Sequence, residues 1–205
     1  GNPLDVFGKG IPIWTYDGAR ASDFVDQCEA LGCTFVCSEW GVADMETLRA
    51  DPRVLTVTCL REPFDRFLST FIFDYRLGYT NYRNIEDYAW SKRSFSYYNY
   101  YAHMLARLDD GTVSVSSEDL FRAQRMLDYF DHVGIVGAPR WVDELGFVLG
   151  WTVTDIHANR RGNAPLEIMR HLIRGRPAAA KRISDSLHLE IAPDFQARFV
   201  AANRM

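Results

Sequence analysis

VLTVTCLREPFDRFLSTFIFDY, residues 54–75, is the stretch whose reading decides the fold. Leu55, Val57, Cys59 and Leu60 form a short apolar run that stops at Arg61, as a buried strand does when it reaches the end of a sheet. Pro63 then supplies a backbone torsion already set for a first helical position. From there Phe64, Phe67, Leu68, Phe71, Ile72 and Tyr75 recur at the spacing of one buried helical stripe. The stretch therefore reads as a strand running through a sharp turn into a helix, with Arg61 at the junction and Ser69 two turns inside. Junctions of this kind are where α/β proteins hold phosphates.

Working outward, 205 residues suffice for one α/β domain with a sizeable core, and ordinary apolar (47%) and charged (24%) fractions exclude a disordered chain. A net charge of −4 gives no reason to expect a nucleic-acid partner. Of the 23 basic residues only Lys9, Lys92 and Lys181 are lysines, the rest being arginines. A planar guanidinium suits phosphate and sulfate oxygens, although a GC-rich genome produces the same bias and is the simpler cause. Cys28, Cys33, Cys37 and Cys59 read as small buried hydrophobes, the first on a helix and the others on strands; no CxxC or nearby His offers zinc spacing, and a disulfide stays open. No apolar run of spanning length, signal peptide or glycosylation sequon appears.

In chain order, residues 1–20 read as an irregular lead-in, with Gly8-Lys9-Gly10 as a plain turn. A helix capped by Ser22 runs to Leu31, a strand covers 34–37 and leads to Glu39, and Asp44 opens a short helix to Ala50. After the central stretch comes an aromatic loop over 78–93 with one helical piece from Ile85. A helix over 95–105 carries Asn99 and His103, a third strand covers 113–115, and a helix follows over 117–129. HVGIV at 132–136 is a fourth strand, and Trp141, Leu145, Val148 and Leu149 mark the next helix. A basic loop, HANRRG, occupies 157–162; helices over 166–173, 178–187 and 192–202 close the chain. The alternation predicts an α/β fold with a mostly parallel central sheet flanked by helices, in one domain spanning 1–205.

LREPFDRFLSTF resembles the 3′-phosphate-binding motif of sulfotransferases that use 3′-phosphoadenosine 5′-phosphosulfate (PAPS), most closely the Golgi carbohydrate type and its bacterial and algal relatives. In that family an Arg after the strand and a Ser eight positions on grip the nucleotide's 3′-phosphate; Arg61 and Ser69 have that separation. SYYNYYAHMLA looks like the family's Asn-aromatic helix, HVGIVGAPRWVDELGFVLGW like its late strand and helix, and HANRRGNAPL like the basic loop that closes over the nucleotide. The resemblance spans most of 34–199 and implies a P-loop-NTPase-like sulfotransferase fold. The family's N-terminal Pro-Lys-x-Gly-[ST]-[ST] loop, which binds the 5′-phosphosulfate, has no counterpart: Lys9 stands in GKGIPIW. The chain is therefore expected to be N-terminally incomplete or to have lost that half of the site.

Sulfuryl transfer is an in-line displacement in which the protein positions both ends, stabilises the leaving phosphate and removes the acceptor's proton; no metal is needed. The resemblance implies cofactor contacts from Arg61, Ser69, Arg160 and Arg161, and a general base at Glu39, with His103 and His157 as alternatives. The bland readings are an Arg61 salt bridge to Glu62 or Asp65, a solvated Ser69, a surface carboxylate at Glu39, packed or capping histidines, and an exposed charged loop at Arg160 and Arg161. Tyr79, Tyr82, Trp90, Tyr97 and Tyr98 could stack on a sugar or on adenine, or belong to the core. The partners implied are the nucleotide donor and a carbohydrate or other hydroxyl acceptor. The compartment would be the Golgi lumen for a eukaryotic source and the cytoplasm for a bacterial one. Two other functions fit the residues: a non-catalytic binding or structural subunit of this fold, and a nucleotide kinase-like protein.

Overall fold

A computed structural model describes residues 19–37, 44–91, 99–108, 115–152 and 164–203. In chain order its elements are α1 (Ala19–Ala30), α2 (Met45–Ala50), β1 (Val57–Arg61), α3 (Pro63–Leu77), α4 (Ile85–Ala89) and α5 (Tyr100–Ala106). Then follow α6 (Ser117–Leu127), β2 (His132–Val136), α7 (Trp141–Leu149), α8 (Ala164–Ile173), α9 (Pro177–Ser186) and α10 (Phe195–Ala202). The architecture is mixed α/β, with 60% of the described residues helical and β1 and β2 paired in parallel. The chain folds as two compact units whose boundary in sequence falls between Leu60 and Arg61 and again in the stretches after Tyr98 and Trp151.

The first unit carries α1, α2, β1, α5, α6, β2 and α7. Ser22, expected to cap the first helix, lies inside α1, which ends where Gly32 turns left-handed at φ 63°. Asp44 caps α2 by accepting from the Thr47 amide at 3.1 Å, so Met45 and Leu48 can pack on Ala21 and Val25. A second cluster joins Ala102, Leu105 and Ala106 of α5 to Val115 and to Ala123 of α6. Ser116 and Asp119 cap α6 reciprocally.

The sheet is smaller than the alternation predicted. Among the described residues only β1 and β2 form strands. The expected strand at 34–37 is irregular chain, with the Phe35 ring set edge-on to Trp151 at 5.4 Å rather than any backbone ladder. Val115 is buried among helices, and residues 113–114 lie outside the described set. Of the cysteines, Cys28 is buried on α1 as expected, whereas Cys37 and Cys59 are exposed and Cys33 is not on a strand. Burial, and then the neighbouring Cys33, push the Cys28 thiol up to about 11.

Register between the two strands is fixed just before they begin. The Asp131 carboxylate accepts from the Thr56 amide and the Thr56 hydroxyl, both at 2.8 Å, while the Asp131 amide donates back to the Thr56 carbonyl at 2.9 Å. A one-residue slip would break all three bonds and turn every side chain of the strand to the other face.

The second unit carries α3, α4, α8, α9 and α10. Phe64, Phe67 and Phe71 of α3 pack with Ile85, Tyr88 and Ala89 of α4 and with Phe195 and Phe199 of α10. Phe67 is fully buried and stacked on Phe199 at 5.2 Å, and Phe71 meets Tyr88 at 5.0 Å. The aromatic stripe read from the sequence is thus the centre of this core. No helix among the described residues is long and apolar enough to cross a membrane.

Candidate functional site

The candidate site is built on the junction between β1 and α3. A single residue, Glu62, separates them, and its carboxylate accepts from the Asp65 amide at 2.7 Å. Pro63 occupies the first helical position, and the Arg66 amide donates to the Glu62 carbonyl at 2.9 Å. A helix start usually offers several unpaired amides to an anion. Here Pro63 has no amide hydrogen and the amide of Asp65 is taken. Two carboxylates, Glu62 and Asp65, also stand in this first turn. Any grip on a phosphate at this corner must therefore come from side chains rather than from the bare helix end.

Two side chains are placed for it. Arg61 closes β1 and is exposed; Ser69 lies on α3, also exposed. Helical geometry turns Ser69 away from the stripe of Phe64, Phe67, Phe71 and Tyr75. The Ser69 hydroxyl makes no hydrogen bond among the described residues, whereas its neighbour Thr70 donates back to the Arg66 carbonyl at 3.1 Å. From Pro63 to Ser69 the helix rises about 9 Å, a span that an arginine side chain and one phosphate can bridge.

The far end of α3 is held by residues that sequence reasoning did not single out. Gly78 takes the left-handed conformation (φ 81°) that ends the helix, and its amide donates to Tyr75 at 3.2 Å. Arg182 of α9 donates to the Tyr75 and Thr80 carbonyls, each at 3.0 Å, and to Asn81 Oδ1 at 2.6 Å. Its guanidinium also lies 5.5 Å from the centre of the Tyr75 ring. Asp185, one turn on, accepts from Lys181 and Arg83, each at 2.7 Å, and from the Tyr75 hydroxyl at 3.3 Å. The Lys181 hydrogen bond, then the Arg83 charge, hold its carboxyl below the usual carboxylate range. No sequence signal marks partners more than a hundred residues apart.

His103 lies on α5 in the first unit, 7% exposed, in the helix whose neighbouring residues form the α5–α6 cluster. Glu39, His157, Arg160 and Arg161 lie outside the described residues, as do Lys9, Tyr97 and Tyr98. Tyr79, Tyr82 and Trp90 are exposed. The structure thus brings Arg61 and Ser69 onto one continuous strand, turn and helix, and places His103 on a separate, buried helix face. Among the described residues there is no group of three or more His, Cys, Asp or Glu side chains able to hold a metal ion.

Compared with protein-family models, with curated proteins and with solved structures, the chain matches none.

Proposed function

We propose that the chain is a sulfotransferase of P-loop-NTPase-like fold that takes a sulfuryl group from PAPS and passes it to a hydroxyl of a carbohydrate or small-molecule acceptor. The observation that carries this reading is the β1–α3 corner. Arg61 and Ser69 are both exposed there, at the sequence separation of a 3′-phosphate grip. Because the first turn of α3 is capped by its own carboxylate, the corner favours a ligand recognised by a bidentate guanidinium and a hydroxyl. In this reading Arg61 supplies the fixed charge and Ser69 a neutral donor. Arg160 and Arg161 cover the nucleotide. Glu39 takes the acceptor's proton as the sulfur–oxygen bond forms and the 5′-phosphate leaves with the electron pair of the bond it loses.

The test is thermal protection of the chain by 3′-phosphoadenosine 5′-phosphate against adenosine monophosphate. The bisphosphate is expected to raise Tm well above the monophosphate at equal concentration, and Arg61→Ala to erase the difference. Ser69→Ala is expected to remove only part of it, since a neutral hydrogen bond is worth about 0.5–1.5 kcal/mol. Equal protection by both nucleotides rules out the 3′-phosphate grip.

A further inference from the structure

Two residues before Arg61 on the same strand, the sheet holds a second reactive grouping within the first unit. Cys59, on β1, is a free, exposed thiol. Opposite it on β2 stands Gly134, where a Cβ atom would lie 3.3 Å from Cys59 Sγ and 3.6 Å from His132 Nε2. The sulfur and the imidazole nitrogen therefore border one recess, which exists because position 134 has no side chain. Nε2 of His132 is buried and has no hydrogen-bond partner among the described residues. A buried polar nitrogen left without a partner is uncommon and costs stability, which favours its accepting a hydrogen bond when a donor is offered.

We propose that Cys59 and His132 form a thiol–imidazole pair that makes Cys59 a site of oxidation by hydroperoxides. The protein packed against one side of the sulfur pushes the thiol's pKa up, so Cys59 is protonated at neutral pH and needs a base before it can attack. Rotation of the two side chains into the recess above Gly134 brings the S–H to Nε2. The thiol proton passes to the imidazole, the sulfur's electron pair attacks the nearer peroxide oxygen, and the S–O bond forms as the O–O bond breaks. The departing hydroxide, or alkoxide for an organic hydroperoxide, takes the proton back from the imidazolium. The thiol is oxidised by two electrons to a sulfenic acid, and the peroxide is reduced to water or to an alcohol. A hydroperoxide suits the site because it needs what a base that has just accepted a proton can give, a proton for its leaving oxygen.

The full chain is treated with hydrogen peroxide in the presence of dimedone, and the sulfenic acid trapped at each cysteine is followed over time by peptide mass spectrometry. Cys59 is expected to be labelled on the order of tenfold or more faster than Cys37, which is also exposed, given that a positioned base contributes typically 10²–10⁴-fold. In His132→Gln that advantage is expected to vanish. In Gly134→Ala, whose methyl fills the recess, it is expected to shrink. Equal rates at Cys59 and Cys37 in the unaltered chain overturn the proposal whether or not either variant folds. So does an undiminished Cys59 rate in folded His132→Gln.

Discussion

The two parallel strands run into their helices in different ways. At β1–α3 one residue makes the connection; Glu62 caps the helix with its own carboxylate and Pro63 presets the first turn. At β2–α7 four residues intervene, Gly137 and Arg140 are both left-handed (φ 92° and 64°), and no side chain caps α7. Arg140 also sets a positive charge at the positive end of the helix dipole. The first corner is stabilised by local chemistry and opens a 15-residue helix whose stripe is a core; the second stores strain and opens a nine-residue helix that leaves Phe147 89% exposed. A junction of this kind can support a site when the helix behind it is anchored and its caps are already satisfied. The β1–α3 corner meets both conditions.

The largest expected effect tests that anchoring. Phe67→Ala should cost about 3–5 kcal/mol, since it removes a fully buried ring stacked on Phe199, whereas Phe147→Ala on α7 should stay within about 0.5 kcal/mol. Urea denaturation of the two variants reads the contrast directly, and equal losses would erase the distinction between the helices.

Next comes the clasp where both strands begin. Asp131→Ala leaves the buried Thr56 amide without its acceptor, while the hydroxyl keeps the Tyr129 carbonyl at 3.0 Å, an expected loss of about 1–3 kcal/mol. Hydrogen bonds from Thr56 hold the Asp131 carboxyl below the ordinary carboxylate value, with Arg49 adding a smaller pull. Its folded-state pKa therefore lies under the unfolded one. The stabilisation is complete above the unfolded value of about 3.9 and is lost as pH falls through the folded value. The stability gap between the unaltered chain and Asp131→Asn, read from urea midpoints, should accordingly be wider at pH 7 than at pH 3.

The smallest effects have opposite signs at the two corners. Glu62→Ala should destabilise by about 0.5–1 kcal/mol through loss of a cap. Arg140→Gly should stabilise by about 0.5 kcal/mol, because glycine occupies the left-handed region without a Cβ clash. Paired thermal melts check both, and a destabilised Arg140→Gly would mean that the second corner is not strained.

Most of the helices were legible because their signals are local. The stripe from Phe64 to Tyr75, the cap at Asp44, the helical piece from Ile85 and the strand HVGIV can each be read within a dozen residues, and each stands in the structure. The strand expected at 34–37 is absent because a strand exists only where a partner completes its hydrogen bonds, and a run of four apolar or β-branched residues says nothing about a partner. Arg61 and Ser69 stand eight positions apart on one continuous strand, turn and helix, so a local pattern is enough to propose them. The Thr56–Asp131 clasp, the Arg182 and Asp185 network around Tyr75, and the recess at Gly134 join positions far apart in the chain, and composition carries no trace of such pairings.

The hold of Arg182 on α3 has a consequence for how the protein is made. The carbonyl of Tyr75, which already accepts from the Gly78 amide, gains its second donor from a residue 107 positions later in the chain. At a synthesis rate of about 5–20 residues per second, that interval lasts roughly 5–20 s. Throughout it the nascent chain carries the end of its central helix hydrated and free to fray. Arg182 thus locks late an end of α3 that Gly78 has already set.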